Sequence, residues 1–474
     1  MPIHIHHPEL HFAPESGILD APAGALLDGT TWHLYFQYRA QPGQGARWGH
    51  VFSEEMPFDW LECDDVLAPA GGEITLRAGA VAAVDAGVNL YFTSVTSTGS
   101  TVALAQDKDF DRVCEVSDDP STLDAAIQRV GTVAADTTDF SRFRSPCVVP
   151  GWAEADRDEG HSGWIMLALT GTTETPQPVL LHSEDGTSWI FSGPLTFAGD
   201  TGLSGWSASG DLPPVVSPRI IRLRDQVDDH IYDVLLVTIE RGDREVSGYL
   251  VGHLEGIVFT VRTGFQQLDF GHDFTRPRTT NYMPGTVDQQ QRFEQSRLFG
   301  FMNGQGRADD ATTHPSFTEE GWANVLSLPR HVTLQGGKLF QTPAVGLPDA
   351  VAESSRARSW VGLLNVPAGS HLAVELLDAD GDPAAVVTHS GEKLTLKRCS
   401  KFQDLYADDA PATATLAEDD SDSLTIIIDG STVEVFADGG QVVMASRVYF
   451  TGGCSGLRTS GDAEIQREWE RAGS

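Results

Sequence analysis

Five strongly apolar or aromatic runs recur along the first two thirds of the chain. Each run is short and is bounded by Gly, Pro, Asp or Ser, while sustained helical periodicity is scarce, so each predicts a β-strand. The runs are WHLYFQY from Trp32, VNLYFTS from Val88, WIMLALTG from Trp164, HIYDVLLVTI from His230 and RLFGFMNG from Arg297. Their wide spacing suits a repeated unit of four strands with long loops.

A second short segment precedes each run: ILDAPAG, LRAGAVA, FRSPCVV, GDLPPVV and FTRPRTT. An inner segment followed by a strong strand, five times over, predicts a five-bladed β-propeller, with a large β-sandwich as the alternative. The first strand of each propeller blade lines the central axis. We therefore expect Asp20, Arg77, Arg144, Asp211 and Arg276 to converge on one funnel.

The pattern changes after Pro343. From about residue 350 the strands are shorter and alternate apolar with polar residues, as in HLAVELLDADG, EKLTLKR and LTIIIDGSTVEVFADGGQVVMASRVYF. The D-G and G-G turns between them are typical of hairpins. We therefore predict an all-β chain in which residues 1–345 form the propeller and residues 346–474 form a β-sandwich with a structural role.

Composition excludes several classes of partner. The 474 residues carry a formal net charge of −35, which would repel nucleic acid and anionic membranes. No apolar run approaches the ~20 residues that span a bilayer, and no secretory signal is visible, so we expect a cytoplasmic protein. The five cysteines have no CxxC spacing, which predicts neither a disulfide framework nor a metal site. The sequence indicates no cofactor and no oligomeric state.

Several motifs, in order, resemble those of glycoside hydrolase family 32, the β-fructosidases. The motifs are HFAPESG with RWGHVFSEEMPFDW, LDFGHDFTRPRT, LFGFMN with SLPRHVTLQGGKLFQTP, and IIIDGSTVEVFADGG. The resemblance covers nearly the whole chain and implies a five-bladed propeller followed by a β-sandwich. It also implies a small carbohydrate substrate and a retaining mechanism, in which two carboxyls ~5 Å apart act as nucleophile and acid/base.

The chain departs from the family pattern at each catalytic acid. Aligned with the family's WMNDPNG, the segment GILDAPAG puts Ala21 at the nucleophile and Asp20 at the preceding Asn. Ser145 replaces the Asp of RDP, which stabilises the transition state. Aligned with the EC-P motif, GDLPPVV offers Asp211 for the acid/base Glu, and Arg77 stands where the family has Phe.

Asp20 is the position on which catalysis depends. Side chains alternate along a strand, so an acid moved by one position normally faces the other way. The family's Asn at this position also reaches the sugar, however, and strands beside active sites often carry bulges that redirect a side chain. We therefore predict that Asp20 enters the pocket.

Three functions fit these residues. The first is a fructoside or related furanoside hydrolase with Asp20 as nucleophile and Asp211 as acid/base. The second is a carbohydrate-binding propeller that no longer hydrolyses. The third is an enzyme for an anionic sugar, since clustered arginines bind phosphate or carboxylate. The predicted substrate-binding residues are Gln37, Trp48, Arg77, Arg144, Ser145, Asp273 and Arg276.

Each of these assignments has a purely structural alternative. Asp211 precedes Pro213 closely and is a candidate turn carboxylate. The arginines could pair with Asp20, Asp211 and Asp273 instead of a ligand.

Overall fold

Five blades, each built on four antiparallel strands, make up most of the molecule. The structure is a computed structural model that describes residues 4–84, 87–110, 114–152, 162–206, 213–288, 290–399, 410–417 and 423–473. Blade 1 contains β1 (Gly17–Asp28), β2 (Thr31–Arg39), β3 (Arg47–Ser53) and β4 (Leu61–Glu62). Blade 2 contains β5 (Glu73–Val84), β6 (Gly87–Thr96), β7 (Ser100–Asp107) and β8 (Ile127–Ala134). Blade 3 contains β9 (Arg144–Pro150), β10 (Trp164–Thr170), β11 (Gln177–Ser183) and β12 (Ile190–Pro194).

Blade 4 gains a short extra strand, and blade 5 is hydrogen-bonded to blade 1. Blade 4 contains β13 (Thr196–Ala198), β14 (Arg219–Arg224), β15 (Ile231–Arg241), β16 (Arg244–Glu255) and β17 (Val258–Gln267). Blade 5 contains β18 (Phe274–Tyr282), β19 (Ser296–Met302), β21 (Arg330–Gln335) and β22 (Lys338–Pro343), with α1 (Gln291–Glu294), α2 (Pro315–Glu320) and β20 (Trp322–Ala323) in its connections. Strand β18 runs parallel to β1, which joins the last blade to the first.

The innermost strand of each blade, which is β14 in blade 4 and the first strand in the others, lies on the inside of a ring. Each inner strand contacts the next around the circle, in the order β1, β5, β9, β14, β18 and back to β1. The predicted strong strands are β2, β6, β10, β15 and β19, each of which lies next to the inner strand of its blade. The five-bladed propeller is thus confirmed, and its inner strands carry Asp20, Arg77, Arg144 and Arg276.

One inner segment was wrongly predicted. Of GDLPPVV, the residues from Pro213 onward lie outside the strand, and the inner strand of blade 4 begins at Arg219, directly after Pro218. The physical reason is that Pro213 and Pro214 cannot donate ladder hydrogen bonds. Val215 makes only an isolated bridge to Ile239.

Each pair of neighbouring blades packs around its own apolar core. Blades 1 and 2, for example, bury Trp48, Leu76 and Phe92 in one cluster. Similar clusters lie between the other neighbours around the ring. Because the alternating apolar face of every blade is covered on both sides, the inner strands are held in a fixed register around the axis.

The C-terminal strands form the predicted β-sandwich. One sheet contains β23 (Arg358–Asn365), β28 (Ser423–Asp429), β29 (Thr432–Ala437), β30 (Val442–Arg447) and β32 (Glu464–Ala472). The other contains β24 (Leu372–Asp378), β25 (Pro383–His389), β26 (Lys393–Arg398), β27 (Ala412–Thr415) and β31 (Cys454–Gly461). Helix α3 (Leu347–Glu353) connects β22 to β23. The exact boundary near residue 345 stays a prediction.

A buried polar network ties the sandwich to the propeller. Glu434 of β29 accepts a 2.6 Å bond from Arg330 of β21, which also pairs with Asp269 at 2.9 Å. His11 bonds Asp429 at 2.8 Å and Glu434 at 3.1 Å. An apolar cluster including Leu328, Ile427 and Phe436 surrounds this network. Buried charges are tolerated here because each has a partner of opposite sign.

No helix among the described residues is long and apolar enough to cross a membrane.

Candidate active site

Asp20 sits at a β-bulge on the innermost strand of blade 1. Strand β1 pairs with β2 through Leu19–Tyr38 and Ala21–Gln37, and the register shifts between these two pairs. Asp20 is therefore the extra residue of the bulge, without a ladder partner on β2. A bulged residue is released from strict alternation, so its side chain need not follow the strand's two faces.

The Asp20 carboxylate is bound by side chains from the neighbouring strand. Arg39 donates to it through Nε at 3.1 Å and Nη2 at 2.9 Å, and Gln37 donates to Oδ2 at 3.4 Å. Its side chain keeps 20% of its surface exposed. Burial raises the pKa of Asp20 above its usual value, while Arg39, Arg276 and Gln37 act in the opposite direction.

Gln37 connects Asp20 to blade 2. Its Oε1 accepts a 2.7 Å hydrogen bond from the backbone nitrogen of Ala78, while its amide nitrogen donates to Asp20. Both ends of the side chain are thus used within the protein. Arg39 was missed by the sequence analysis, although a signal existed: Gln37 and Arg39 are two residues apart on one strand and therefore share a face.

Arg276, near the start of the inner strand β18 of blade 5, lies beside Asp20. Its Nε donates to Glu245 at 2.7 Å, Nη2 donates to the same carboxylate, and Nη1 reaches the Asp20 carbonyl oxygen at 3.4 Å. Arg276 therefore pairs with an acid rather than facing a ligand alone. The acid is Glu245, whereas the possible partners named in the sequence analysis were Asp20, Asp211 and Asp273. Its charge still lies close enough to favour the ionised form of Asp20.

Arg144 and Ser145 occupy the corresponding place in blade 3. The Arg144 guanidinium donates to the carbonyl oxygens of Arg142, Gly171 and Thr172, at 3.1, 2.6 and 2.8 Å. Burial and then the charge of Arg77 lower the pKa of Arg144 to about 10. The Ser145 hydroxyl donates to the Val216 carbonyl oxygen at 3.4 Å. Arg144 thus fixes the loop at Gly171 and Thr172 against the inner strand β9.

Four arginines bring positive charge to one place: Arg77, Arg144, Arg276 and Arg307, here called the cationic cluster. Desolvation by the surrounding residues, and then the charges of Arg307 and Arg276, lower the pKa of Arg77. Arg77 and Arg307 in turn act on Arg144. The Arg77 side chain is exposed, and its guanidinium makes no hydrogen bond or ion pair with any residue in the described part of the chain. Arg77 is therefore available to an anion.

Glu240, at the end of β15, is a carboxyl that the sequence analysis missed. It pairs with Arg307 at 2.8 Å and keeps 24% of its side-chain surface exposed. Burial raises the pKa of Glu240, Arg307 opposes that rise, and Glu245 adds to it. A partly exposed carboxyl with a raised pKa is suited to donate a proton.

Two predicted sugar-binding residues lie elsewhere. Trp48 is fully buried in the core between blades 1 and 2, and its Nε1 donates to the Arg77 carbonyl oxygen at 3.2 Å. Asp273 faces the sandwich, where Arg398 donates to it at 3.0 Å and the Arg447 backbone nitrogen at 2.7 Å. In this structure neither side chain is placed to contact a sugar beside Asp20, because packing and the domain interface use them.

Asp211 falls within residues 207–212, outside the described residues, so its assignment stays a prediction. The described backbone beside Ser145 belongs to Val216, which is followed by Ser217 and Pro218. This segment runs directly into the inner strand of blade 4, as Ser145-Pro146 does in blade 3. Val216 therefore stands at the pocket in blade 4.

Among the described residues, no group of three or more His, Cys, Asp or Glu side chains could hold a metal ion.

Two family models together match most of the chain. Residues 11–343 match the glycosyl hydrolases family 32 N-terminal domain, and residues 385–468 match the family 32 C-terminal domain. The chain belongs to glycosyl hydrolase family 32. This membership confirms the resemblance stated from the motifs and supports a hydrolase that acts on fructosides.

Relatives and solved structures agree with this membership. The chain is 25% identical over 480 residues to the sucrose-6-phosphate hydrolase of Bacillus subtilis, covering 94% of this chain and 89% of that one. It is 26% identical over 479 residues to the raffinose invertase of Escherichia coli, with coverage of 94% and 89%. The sucrose-6-phosphate hydrolase of Lactobacillus gasseri superposes with a TM-score of 0.74 at 18% identity, covering 98% of this chain and 92% of that one, which shows the shared fold.

The family's three acids can now be compared with the structure. Ala21 and Ser145, each directly before a proline, carry no carboxylate. Val216-Ser217-Pro218 has the spacing of the Glu-Cys-Pro motif, with valine at the place of the glutamate. At these three positions the described pocket is neutral, and its carboxylates come from Asp20, Glu240 and Glu245.

Proposed function

We propose that this protein hydrolyses a fructoside with retention of configuration, with Asp20 as the nucleophile. The observation that carries the proposal is the bulge at Asp20, which frees its carboxylate from strand alternation while Arg39 and Gln37 fix its orientation. A positioned, ionised carboxylate is what a retaining glycosidase requires. In the first step an Asp20 oxygen bonds to the anomeric carbon and the glycosidic bond breaks. Water then cleaves the resulting ester and regenerates the carboxylate.

The leaving oxygen needs a proton donor, and two carboxyls compete for the role. Asp211 is the donor expected from the sequence. Glu240 is the described alternative, because its pKa is raised and it pairs with Arg307 of the cationic cluster. Replacing each by its amide separates them: Asp211→Asn or Glu240→Gln should slow substrates with poor leaving groups far more than activated ones. If a variant slows both kinds of substrate equally, the residue that it replaces is not the proton donor.

The cationic cluster favours a fructoside that carries an anionic group. Arg77 is exposed and makes no hydrogen bond or ion pair within the described residues, and its neighbours Arg144 and Arg307 are cations. Guanidinium groups bind phosphate through paired hydrogen bonds. Several relatives, including that of Bacillus subtilis, are sucrose-6-phosphate hydrolases. We therefore propose a phosphorylated disaccharide as the preferred substrate over neutral sucrose.

Fructose release from sucrose 6-phosphate and from sucrose tests the proposal. The parent protein should release fructose, and Asp20→Asn should abolish release while the fold and sugar binding persist. Asp28→Asn is the matched control, because Asp28 ends the same strand β1 at the turn into β2, away from the pocket. Turnover that survives in Asp20→Asn would show that another residue is the nucleophile.

A carbohydrate-binding propeller without hydrolysis is the second candidate. The observation that favours it is the neutral set Ala21, Ser145 and Val216 at the family's acid positions. The bidentate bond from Arg39 also reduces the nucleophilicity of Asp20. This candidate predicts that the parent binds the sugar without turnover and that Asp20→Asn binds equally well. Ala21→Asp, which restores an acid before Pro22, should then produce measurable hydrolysis.

A further inference from the structure

Two buried arginines lie on the propeller axis beneath the candidate active site. Arg219 opens β14 directly after Pro218, and Arg278 lies in β18 directly after Pro277. They are 1% and 4% exposed. The position after the proline in blade 3 is Cys147, which is 3% exposed. The corresponding residues of blades 1 and 2 are Ala23 and Ala80, and the side chains of these two residues and of Cys147 lie in the apolar clusters between blades.

Within the described part of the chain, both guanidinium groups donate only to neutral acceptors. Arg219 donates to the carbonyl oxygens of Ser145 at 3.0 Å, Pro218 at 2.6 Å and Gly79 at 3.4 Å. Arg278 donates to the Ser217 hydroxyl at 2.8 Å and to the carbonyl oxygens of Arg276 at 3.2 Å and Pro277 at 3.3 Å. The Nε atom of each arginine is buried and has no acceptor.

The two charges are close to each other and lack a counter-charge. Among the described residues no carboxylate forms an ion pair with either arginine. Burial and then the charge of Arg219 lower the pKa of Arg278. Arginine remains protonated in proteins, so these like charges must be balanced by something other than proton loss. Buried charges are normally paired.

Beyond the two arginines, on the side away from Asp20, the inner strands continue. A cavity of about 190 Å³ lies there, lined by residues further along the inner strands, including Ala82, Val149, Ile221 and Thr280. The Thr280 hydroxyl oxygen is buried and has no hydrogen-bond partner. Thr280 is two residues after Arg278 on β18, so its side chain lies on the same face of the strand.

We propose that a small monovalent inorganic anion of the halide class binds on the propeller axis between Arg219 and Arg278. The buried Nε–H groups of the two arginines, which have no acceptor among the described residues, are its donors. Such an anion neutralises the repulsion between two guanidinium groups that have no acidic partner in the described chain.

The anion site also supports the floor of the candidate active site. Ser145 and Arg276 both have left-handed backbone angles, with φ of +53° and +48°, although each precedes a proline. That conformation is unfavourable for these residues. Arg219 holds the carbonyl oxygen of Ser145, and Arg278 holds that of Arg276. The arginines and their anion thus act as positioning groups for the pocket.

Bromide diffraction and thermal unfolding of the full chain test the site. Crystals grown with sodium bromide should show an anomalous peak between Arg219 and Arg278. In solution, the Tm should rise with the logarithm of chloride or bromide concentration and exceed the Tm in sodium gluconate of equal ionic strength. Arg278→Gln should lose this halide-specific rise. Arg262→Gln, at an exposed arginine paired with Asp228, should keep it.

Two results would overturn the proposal. One is a bromide map of the parent protein without an anomalous peak on the axis, a result that stands even if Arg278→Gln does not fold. The other is a Tm that follows ionic strength alone, with no difference between halide and gluconate. A peak on the axis with an unchanged Tm would also contradict the stabilising role.

Discussion

The Asp20 carboxylate and the Arg39 guanidinium form a two-point ion pair, with hydrogen bonds of 2.9 and 3.1 Å. The pair joins the bulge of β1 to the neighbouring strand β2. Asp20 thereby has a fixed direction that a lone bulged side chain would lack. The same pair also stabilises the carboxylate against protonation, in opposition to the burial that raises its pKa.

Arg39→Gln should change the pH dependence of activity. Removing the guanidinium leaves burial as the main influence on Asp20, so the pKa of Asp20 should rise further. The acidic limb of the kcat/KM profile, where the nucleophile must lose its proton, should then move to higher pH. A pH–rate profile of both proteins measures this. An unmoved acidic limb would mean that Asp20 is not the group that titrates there.

Arg77→Gln should distinguish charged from neutral substrates. If Arg77 binds a phosphate, its loss removes a charge-assisted hydrogen bond of about 1.5–3 kcal/mol, which corresponds to a rise in KM of roughly 10- to 100-fold. The KM for neutral sucrose should not change, because that sugar offers no anion. Steady-state kinetics on both substrates measure the split. An equal effect on the two substrates would place Arg77 outside phosphate recognition.

Glu434 should control acid stability at the junction of propeller and sandwich. Burial would raise its pKa, but Arg330 and His11 outweigh burial and hold the pKa at about 2, against an ordinary value of 4.5. Because the folded-state pKa is the lower one, the stabilisation is present above about pH 4.5 and is lost as the pH falls towards 2. Its size is roughly 3 kcal/mol.

Urea unfolding across this pH range measures the contribution. Glu434→Gln should lower the unfolding free energy at pH 7 by roughly 3 kcal/mol, because it removes a buried acid partner from both Arg330 and His11. It should also flatten the loss of stability between pH 4.5 and 2. Glu375→Gln, at a partly exposed pair with Arg458, should change stability by about 1 kcal/mol or less. Equal effects of the two variants would argue against the network.

The sequence was sufficient for the fold because its signals are local. Alternation and turn residues located the strand next to the inner strand of every blade and the hairpins of the sandwich. The inner strand of blade 4 was missed because Pro213 resembled the family motif more closely than Pro218 did. The later Val216-Ser217-Pro218 segment leads into the strand instead.

The site was predicted less completely because it depends on contacts between distant segments. A bulge at Asp20 was expected and is present. Arg39 could have been found from its spacing to Gln37 on one strand. Nothing local indicated that Glu240 would pair with Arg307, since the two residues come from different blades. Burial of Trp48 and the use of Asp273 at the domain interface likewise follow only from packing.

Mass spectrometry of the covalent intermediate tests the role of Asp20 most directly. The parent protein is mixed with sucrose 6-phosphate, quenched in acid during turnover and digested, and the fragments are weighed. The account predicts a fructosyl ester on the fragment that contains Asp20, and no ester on that fragment in Asp20→Asn. Turnover with the ester on a different fragment, or sugar binding with neither ester nor turnover, would contradict it.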